Sequence, residues 1–437
     1  MNGTTFGPPV RPGRRSLPGM DTAPPSPHGA RTVRRPRLLL SPMRPRDATE
    51  PSRAASSLEL FFDLVFVIAV SIAASTLHEH LVAGSESTLQ ALGSYLCVFF
   101  AVWWAWMNFT WFATSFDNDD WLYRVMTFLQ MGGVLVLAAG ISPVFDDGNF
   151  TVAVAGYVVM RLAMVGQWIR ASRAGGAAGR AATRYAVGIV IVQVLWIAWL
   201  WIPGALHMPG FIVLILAELS VPVLAERSGR TPWHPEHIAD RYGGFTLILL
   251  GESLLASANA VIEALHAGSG EGGDAAGAGV PTVRLVGLGI LAFVVTAGLW
   301  WIYFSAPHAE QVTTLPRSLR FGYVHYIVFA AAGAFSAGVE TQISSLSGES
   351  RLGEVASDFA VTVPVAVFVL VVWWISVLPA GDRVLNTVLP VGAVLVLLDP
   401  LVPVPVVLTA VVVAVMVAAV VVRAPGSGPA AADHVDG

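Results

Sequence analysis

The sequence predicts an all-α integral membrane protein with about twelve transmembrane helices and both termini in the cytoplasm. Hydrophobic residues make up 55% of the chain, charged residues only 12%, and the mean hydropathy is +0.67. Soluble domains carry roughly twice that share of charge, so most of this chain is expected to face lipid. Apolar runs recur from residue 58 to residue 422, and several reach the roughly 20 residues that cross a bilayer.

The two ends of the chain differ in composition from the part between them. Residues 1–55 are rich in Arg, Pro, Ser and Gly, and such a segment cannot bury enough apolar surface to fold alone. We therefore expect a disordered cytoplasmic tail there, with Met43 as an alternative translation start. Residues 424–437 are expected to form a second disordered tail. The membrane domain is accordingly predicted at residues 56–423.

Twelve apolar segments are predicted within that domain. The eleventh is short and is followed by DPLVPVP, so the last two segments are equally explained as one re-entrant or broken element. The segments lie near residues 58–77, 89–112, 122–141, 151–169, 185–202, 208–225, 242–265, 283–304, 321–339, 359–378, 384–398 and 404–422.

The distribution of arginines sets the predicted orientation. With the N-terminus inside, the loops on the outside would hold only Arg284 and Arg351, and all other loop arginines would be cytoplasmic. This is the bias expected of a plasma-membrane protein with cytoplasmic termini. The sequence thus predicts a multi-pass membrane protein with the lipid bilayer as its main partner.

Two tryptophan pairs favour a parallel six-plus-six repeat. The second segment ends in VWWAWMNFTWF (residues 102–112), and the eighth contains GLWWIYF (residues 298–304). Aligning the pairs places segment one opposite segment seven, and parallel repeats are common in transporters. The alternative is an aromatic belt, because interfacial Trp is expected in any membrane protein.

Two acids occur at the start of the first segment. Glu59 and Asp63 are four residues apart and share one helix face. Asp63 would lie roughly 7–8 Å inside the cytoplasmic boundary, where Arg124 and His325 are available at similar depth to compensate the charge. Arg124 is also explained as an interfacial anchor, and His325 as a solvated histidine.

A second set of charges is expected near the bilayer centre. Glu252, Glu218 and Arg161 each lie about ten residues into their segments. Burying a charge there costs at least about 2.5–3.5 kcal/mol, so these three groups are expected to pair, with Arg161 as the fixed cation. A purely structural ion pair is the alternative. Gly251 beside Glu252 would allow close helix approach or a water-filled space.

Three stretches resemble the bacterial low-temperature-requirement A (LtrA) family. They are LELFFDLVFVIAV (58–70), WWAWMNFTWFATSFDNDDWLYRVMTFLQM (103–131) and HIADRYGGFTLILLGESLL (237–255). The seventh segment departs slightly, because Tyr242 stands where the family usually has Phe. The resemblance implies a membrane protein and names no substrate or cofactor. It implies motif roles for Glu59, Phe62, Asp63, Trp104, Asp117, Asp120, Arg124, Arg241, Gly251 and Glu252.

Three functions fit these observations. The first is a secondary transporter, coupled to protons, of an unknown small molecule or ion. Its path candidates are Glu59, Asp63, Arg161, Glu252 and His325. The second is a membrane-embedded enzyme acting on lipid, and the third is a non-transporting role in envelope or cold adaptation, with the charges as structure.

The sequence offers little support for catalysis or for other partners. It contains no nucleophile motif, zinc signature or phosphate loop, so no catalytic residue, metal ligand or cofactor is predicted. The single cysteine, Cys97, excludes an intrachain disulfide and a Cys-based metal site. No folded element accompanies the Arg-rich stretches of the tail, so no nucleic-acid partner is predicted. The sequence leaves the oligomeric state open.

Overall fold

The computed structural model describes residues 40–50, 53–84, 88–268, 282–402 and 406–423. All regular structure in these ranges is helical. The helices are α1 (Ser57–Ala83), α2 (Thr88–Phe116), α3 (Trp121–Ala139), α4 (Ile141–Asp147), α5 (Thr151–Ser172), α6 (Gly176–Trp199), α7 (His207–Glu226), α8 (Pro235–Gly268), α9 (Thr282–Phe304), α10 (Leu315–Leu346), α11 (Glu354–Val372), α12 (Leu385–Leu398) and α13 (Val407–Arg423).

Ten helical segments in the described ranges are long and apolar enough to cross a membrane. They confirm the predicted class of polytopic membrane protein but not the predicted number of twelve spans. The eleventh and twelfth predicted segments form the shorter helices α12 and α13, of 14 and 17 residues. The third span combines α3 and α4, which meet at Gly140.

The helix starts follow from local sequence. Ser56 and Glu59 form a capping box at the start of α1, in which each side chain accepts a hydrogen bond from the other residue's backbone N–H. Asp120 caps α3 by accepting from the backbone N–H of Tyr123 at 2.8 Å. Helix α8 begins at Pro235, seven residues before the predicted segment, and therefore includes the polar stretch up to Arg241.

The buried helix α2 lies at the centre of the bundle. It packs against α1, α4, α5, α8 and α10, and its side chains from Val98 to Asn108 are almost all buried. Most of the remaining helices form two series of successive neighbours. In the first, α1 contacts α3, α3 contacts α5, α5 contacts α6 and α6 contacts α7; in the second, α8 contacts α10, and α10 to α13 follow in order.

Large apolar side chains are exposed on the outside of the bundle, as on α3, α6, α9 and α13. A soluble protein rarely exposes contiguous apolar surface of this extent. The exposed surface is therefore suited to lipid.

The predicted tail at residues 1–55 lies partly outside the described residues, which begin at residue 40 and omit residues 51–52. The described part of it packs on the helices. Met43 is buried, Arg46 donates from its backbone N–H to the Ser115 carbonyl at 2.9 Å, and Arg53 is only 7% exposed. Residues 40–50 and 53–55 of this stretch thus contact the helical bundle. The predicted tail at residues 424–437 lies wholly outside the described residues.

Candidate functional site

Asp63 and Arg241 form a buried ion pair between α1 and α8. The Arg241 guanidinium donates from Nε to Asp63 Oδ2 at 2.9 Å and from Nη2 to Oδ1 at 2.5 Å. The indole N–H of Trp106 on α2 donates to the same carboxylate at 2.7 Å. All three side chains are almost fully buried. This two-point geometry makes the pair one of the stronger charge interactions in proteins.

Glu59 lies one turn before Asp63 and is surrounded by basic side chains. Its carboxylate is 3.5 Å from Arg53, 3.3 Å from Arg241 Nη1 and 3.3 Å from His237 Nε2. It also accepts a hydrogen bond from the backbone N–H of Ser56 at 2.7 Å. Two arginines thus balance two carboxylates in one buried group. We call it the α1–α8 cluster: Arg53, Glu59, Asp63, Trp106, His237 and Arg241.

The expectation that Arg124 and His325 would compensate Glu59 and Asp63 is wrong. Arg124 pairs instead with Asp119 at 2.6 Å, and both side chains are more than half exposed. His325 is fully buried but forms no ion pair with a carboxylate in the described part of the chain. The true partners, Arg53 and Arg241, come from the stretch before α1 and from the N-terminal extension of α8.

The acids of the loop between α2 and α3 are structural in this geometry. Asp120 caps α3 and also binds Arg170 at the end of α5 at 2.5 Å. Asp117 is 3.8 Å from Arg46 and 3.9 Å from Arg53. These contacts tie α3 to α5 and hold the segment before α1 against α2.

His325 belongs to a buried group of neutral hydrogen bonds. Its Nδ1–H donates to the Phe321 carbonyl at 2.7 Å, which leaves Nε2 to accept from the Tyr303 hydroxyl at 3.1 Å. The neighbouring His308 bonds the Tyr303 carbonyl through Nε2 at 2.8 Å and Ser376 Oγ through Nδ1 at 3.0 Å. A neutral imidazole can make each of these bonds, and neither histidine forms an ion pair with a carboxylate among the described residues.

We expect His308 to make the protein less stable at acid pH. Burial lowers the pKa of its imidazole to about 4, although the hydrogen bond to the Tyr303 carbonyl opposes the shift. An unfolded His has a pKa near 6.5, so the unfolded state binds the proton first as the pH falls. The stability contribution is therefore full above about pH 6.5 and is lost towards pH 4, by about 3 kcal/mol in all.

Thermal melting of detergent-solubilised protein between pH 7.5 and 4 measures this effect. The His308→Gln variant keeps a donor and an acceptor but cannot titrate, so its melting temperature should fall less steeply over the same range. Parallel profiles of the two proteins would contradict the assignment to His308.

Glu218 lies at the centre of a second buried cluster. Its Oε2 accepts from Arg161 Nη2 at 2.9 Å and from Trp104 Nε1 at 2.8 Å. Its Oε1 accepts from the Tyr157 hydroxyl at 3.0 Å and from Trp196 Nε1 at 3.2 Å. Four donors thus saturate the carboxylate. The prediction that Arg161 pairs with Glu218 is confirmed.

Glu252 does not join that cluster, which corrects the expected three-way pairing. It accepts from the Ser71 hydroxyl of α1 at 2.7 Å, and no cation of the described ranges lies within 4 Å. A second carboxylate, Glu340 of α10, lies nearby and accepts from Asn259 at 2.8 Å. A Cβ built on Gly251 meets nothing within 4 Å, so this glycine does not serve close helix approach.

The tryptophans of α2 are interior residues, so the belt alternative is wrong for this helix. Trp103, Trp104 and Trp106 are at most 1% exposed, whereas Trp300 and Trp301 of α9 are 42% and 46% exposed. Trp104 donates to Glu218 and Trp106 donates to Asp63. These hydrogen bonds were not predicted from the sequence, although a fully buried Trp N–H usually needs an acceptor and could have indicated them.

Aromatic side chains fill the space beside the α1–α8 cluster. The motif residue Phe62 packs on Phe109 with 3.9 Å between ring centroids, and Trp106 stacks on Phe245 at 4.4 Å. Glu252 is about 16 Å further along α8 than Arg241, and the buried residues between the two levels include Phe66 and Val70 on α1 and Phe245 and Leu249 on α8. The two groups of charges are therefore separated by an apolar layer.

In the described part of the chain, no group of three or more His, Cys, Asp or Glu side chains is placed to hold a metal ion. Among the described residues, the site thus consists of one balanced cluster, one saturated carboxylate and two neighbouring carboxylates, Glu252 and Glu340, without a cation.

Comparison with known proteins adds two relationships. Residues 54–423 match the family described as bacterial low temperature requirement A protein (LtrA). The chain is also similar to a protein of Rhizobium meliloti (strain 1021) that is named "Uncharacterized protein RA0937". The two are 27% identical over 302 residues, which cover 64% of this chain and 68% of the relative.

Proposed function

The chain belongs to the bacterial low temperature requirement A family, and from that premise we propose that it is a secondary transporter that couples a small substrate to protons. The proposal includes a location in the bacterial inner membrane with both termini in the cytoplasm. Helices α12 and α13 would be the last two of twelve crossings. Helix α13, with 17 residues, is at the lower limit of the roughly 17–25 residues that span a bilayer, and α12 reaches that length only together with the 3-10 turn that follows it, as Leu385–Leu401.

The observation that carries this proposal is the environment of Glu252. The carboxylates of the α1–α8 cluster and of Glu218 are neutralised by arginines, but Glu252 has only the Ser71 hydroxyl as a polar partner. A carboxylate inside a membrane without a cation is most easily neutralised by a proton. Ionisable residues of this kind mark proton relays in pumps and transporters.

The order of helix contacts supports the two-part architecture that transporters commonly have. The first helix of each half, α1 or α8, packs on the next two helices of its half, and the later helices then follow as successive neighbours. Glu252 and the α1–α8 cluster both lie where α1 meets α8. Substrate and coupling-ion sites lie at the interface between repeats in many transporter folds.

The Glu252→Gln variant tests the proposal, because it cannot release or take up a proton. Protein reconstituted in liposomes with an internal pH dye is screened for substrate-induced proton movement with a panel of ions, amines, sugars and organic acids. We expect flux with the unaltered protein, and flux at the level of empty liposomes with Glu252→Gln. The matched control is Glu263→Gln, an exposed carboxylate on the same helix, which should retain the flux.

Unchanged proton coupling in Glu252→Gln would overturn the role of this residue. No proton movement with any compound of the panel would count against a proton-coupled transporter. A variant that loses stability instead of flux would favour the alternative in which the buried charges serve only the structure.

A further inference from the structure

A cavity of about 40 Å³ lies among α2, α5, α6, α7 and α10. Side chains of α2, α5, α6, α7 and α10 and of the segment after α7 form its wall. Five aromatic rings line it: Trp111, Trp168, Tyr185, Trp233 and Tyr323. Trp168 and Tyr185 are stacked at 4.2 Å, and Trp111 meets Trp233 edge to face at 6.0 Å.

One acid lies in the wall of this aromatic cavity. Glu226, at the end of α7, is 5% exposed. Its carboxylate accepts from the Tyr185 hydroxyl at 3.1 Å and from the side chain and backbone of Thr231 at 2.7 and 3.1 Å. No cation of the described residues lies within 4 Å of it, and Arg230, which acts on it through space, is exposed. The cavity wall therefore has one carboxyl group, and neutral donors hold it in place.

Two further polar groups in the wall have no partner. The indole N–H of Trp168 and the hydroxyl of Ser318 make no hydrogen bond, although their residues are only 3% and 1% exposed. Buried polar atoms are nearly always bonded, so each such group needs an explanation. Both side chains line the same cavity, which suggests that a bound molecule satisfies them.

We propose that this cavity binds the head group of a small organic ammonium ion. Aromatic faces and a carboxylate together are the recognised chemistry for quaternary and alkylated amines. The volume is enough for about three water-sized positions, so it admits a compact ammonium group rather than a large molecule. Trp168 and Ser318 would donate to an acceptor atom beside the charge. The inference rests on the proposed function, for which it names the substrate class.

Binding can be measured without transport, because three of the five rings are tryptophans. The protein in lipid nanodiscs is titrated with tetramethylammonium chloride while the tryptophan fluorescence is recorded, and tert-butanol serves as the neutral probe of similar shape. We expect saturable quenching with tetramethylammonium and none with tert-butanol. Glu226→Gln should weaken the binding by about tenfold or more, which corresponds to 1.4 kcal/mol or more.

Two more variants keep the test independent of folding defects at Glu226. Ser318→Val keeps every charge but fills part of the cavity, so it should also weaken binding. Glu263→Gln changes an exposed carboxylate elsewhere and should bind as the unaltered protein does. Equal response to both probes, or binding unaffected by Glu226→Gln and Ser318→Val, would overturn the proposed site.

The results of these experiments distinguish a failure of the transport proposal from a failure of the binding proposal. Saturable binding that depends on Glu226, without any proton-coupled flux, would leave the ammonium site standing and count against the transporter. Proton-coupled flux of another compound, with no tetramethylammonium binding, would support the transporter and count against the ammonium site.

Discussion

Asp63→Asn is expected to lower the free energy of unfolding by about 3–5 kcal/mol, as breaking a buried ion pair from one side usually does. The substitution leaves Arg241 fully buried with only Glu59 at 3.3 Å to compensate it. Asparagine retains a carbonyl oxygen that can accept from the Trp106 indole, so the lost stability should come mainly from removal of the negative charge. Equilibrium unfolding of detergent-solubilised protein measures the difference.

A surface pair provides the matched control for this experiment. Asp119 and Arg124 form an ion pair of similar length, 2.6 Å, but are 54% and 55% exposed. Asp119→Asn should therefore change the stability by less than about 1 kcal/mol. The double variant Asp63→Asn with Arg241→Gln should lose less than the sum of the single losses, because no charge remains unpaired between these two positions. Additive losses would contradict direct coupling.

The Glu218→Gln variant is expected to have a comparably large effect. It removes the charge that four donors surround and leaves Arg161 buried without a carboxylate, at a cost of about 3–5 kcal/mol. Arg161 is 3% exposed, and its Nε already lacks a hydrogen-bond partner. The variant should therefore unfold at lower denaturant concentration than the unaltered protein.

Glu252→Gln is the informative comparison for Glu218→Gln. Both variants neutralise a glutamate within the helical bundle, but Glu252 has no cation within 4 Å among the described residues, so its neutralisation leaves no arginine unpaired. We expect a stability change below about 1 kcal/mol for Glu252→Gln. Equal destabilisation by the two substitutions would show that Glu252 also holds the structure together.

The two charge clusters are expected to stabilise different parts of the bundle. The α1–α8 cluster joins the first helices of the two proposed halves, while the Glu218 cluster lies within α2, α5, α6 and α7. Loss of the first should loosen contact between the halves, and loss of the second should weaken one half internally. Limited proteolysis of the two variants in the same detergent would distinguish these outcomes.

Several features were predicted from sequence because they depend on local chemistry. Runs of apolar residues identify helices of membrane-spanning length, and the described part of the chain contains ten of them. The pairing of Arg161 with Glu218 was also correct, since a fixed cation and an acid at similar predicted depth have few alternatives in lipid. The three motif stretches were enough to indicate the family that the match at residues 54–423 then showed.

The partners of the other charges could not be predicted in this way. Arg241 binds Asp63 across 178 positions of sequence, and Trp104 binds Glu218 across 114. A helix that is apolar on every side carries no pattern that distinguishes its packed face from its lipid face. Sequence periodicity therefore says little about which side chains meet.

The amino-acid sequence alone was sufficient for the helical class, the approximate positions of the spans and the acids that lie within them, because the cost of exposing backbone and charge to lipid acts on each segment separately. Only the tertiary structure decided which acids are neutralised by arginine and which are not. That choice depends on how the described helices pack together, and it leaves Glu252 with a hydroxyl partner while Glu59, Asp63 and Glu218 are paired.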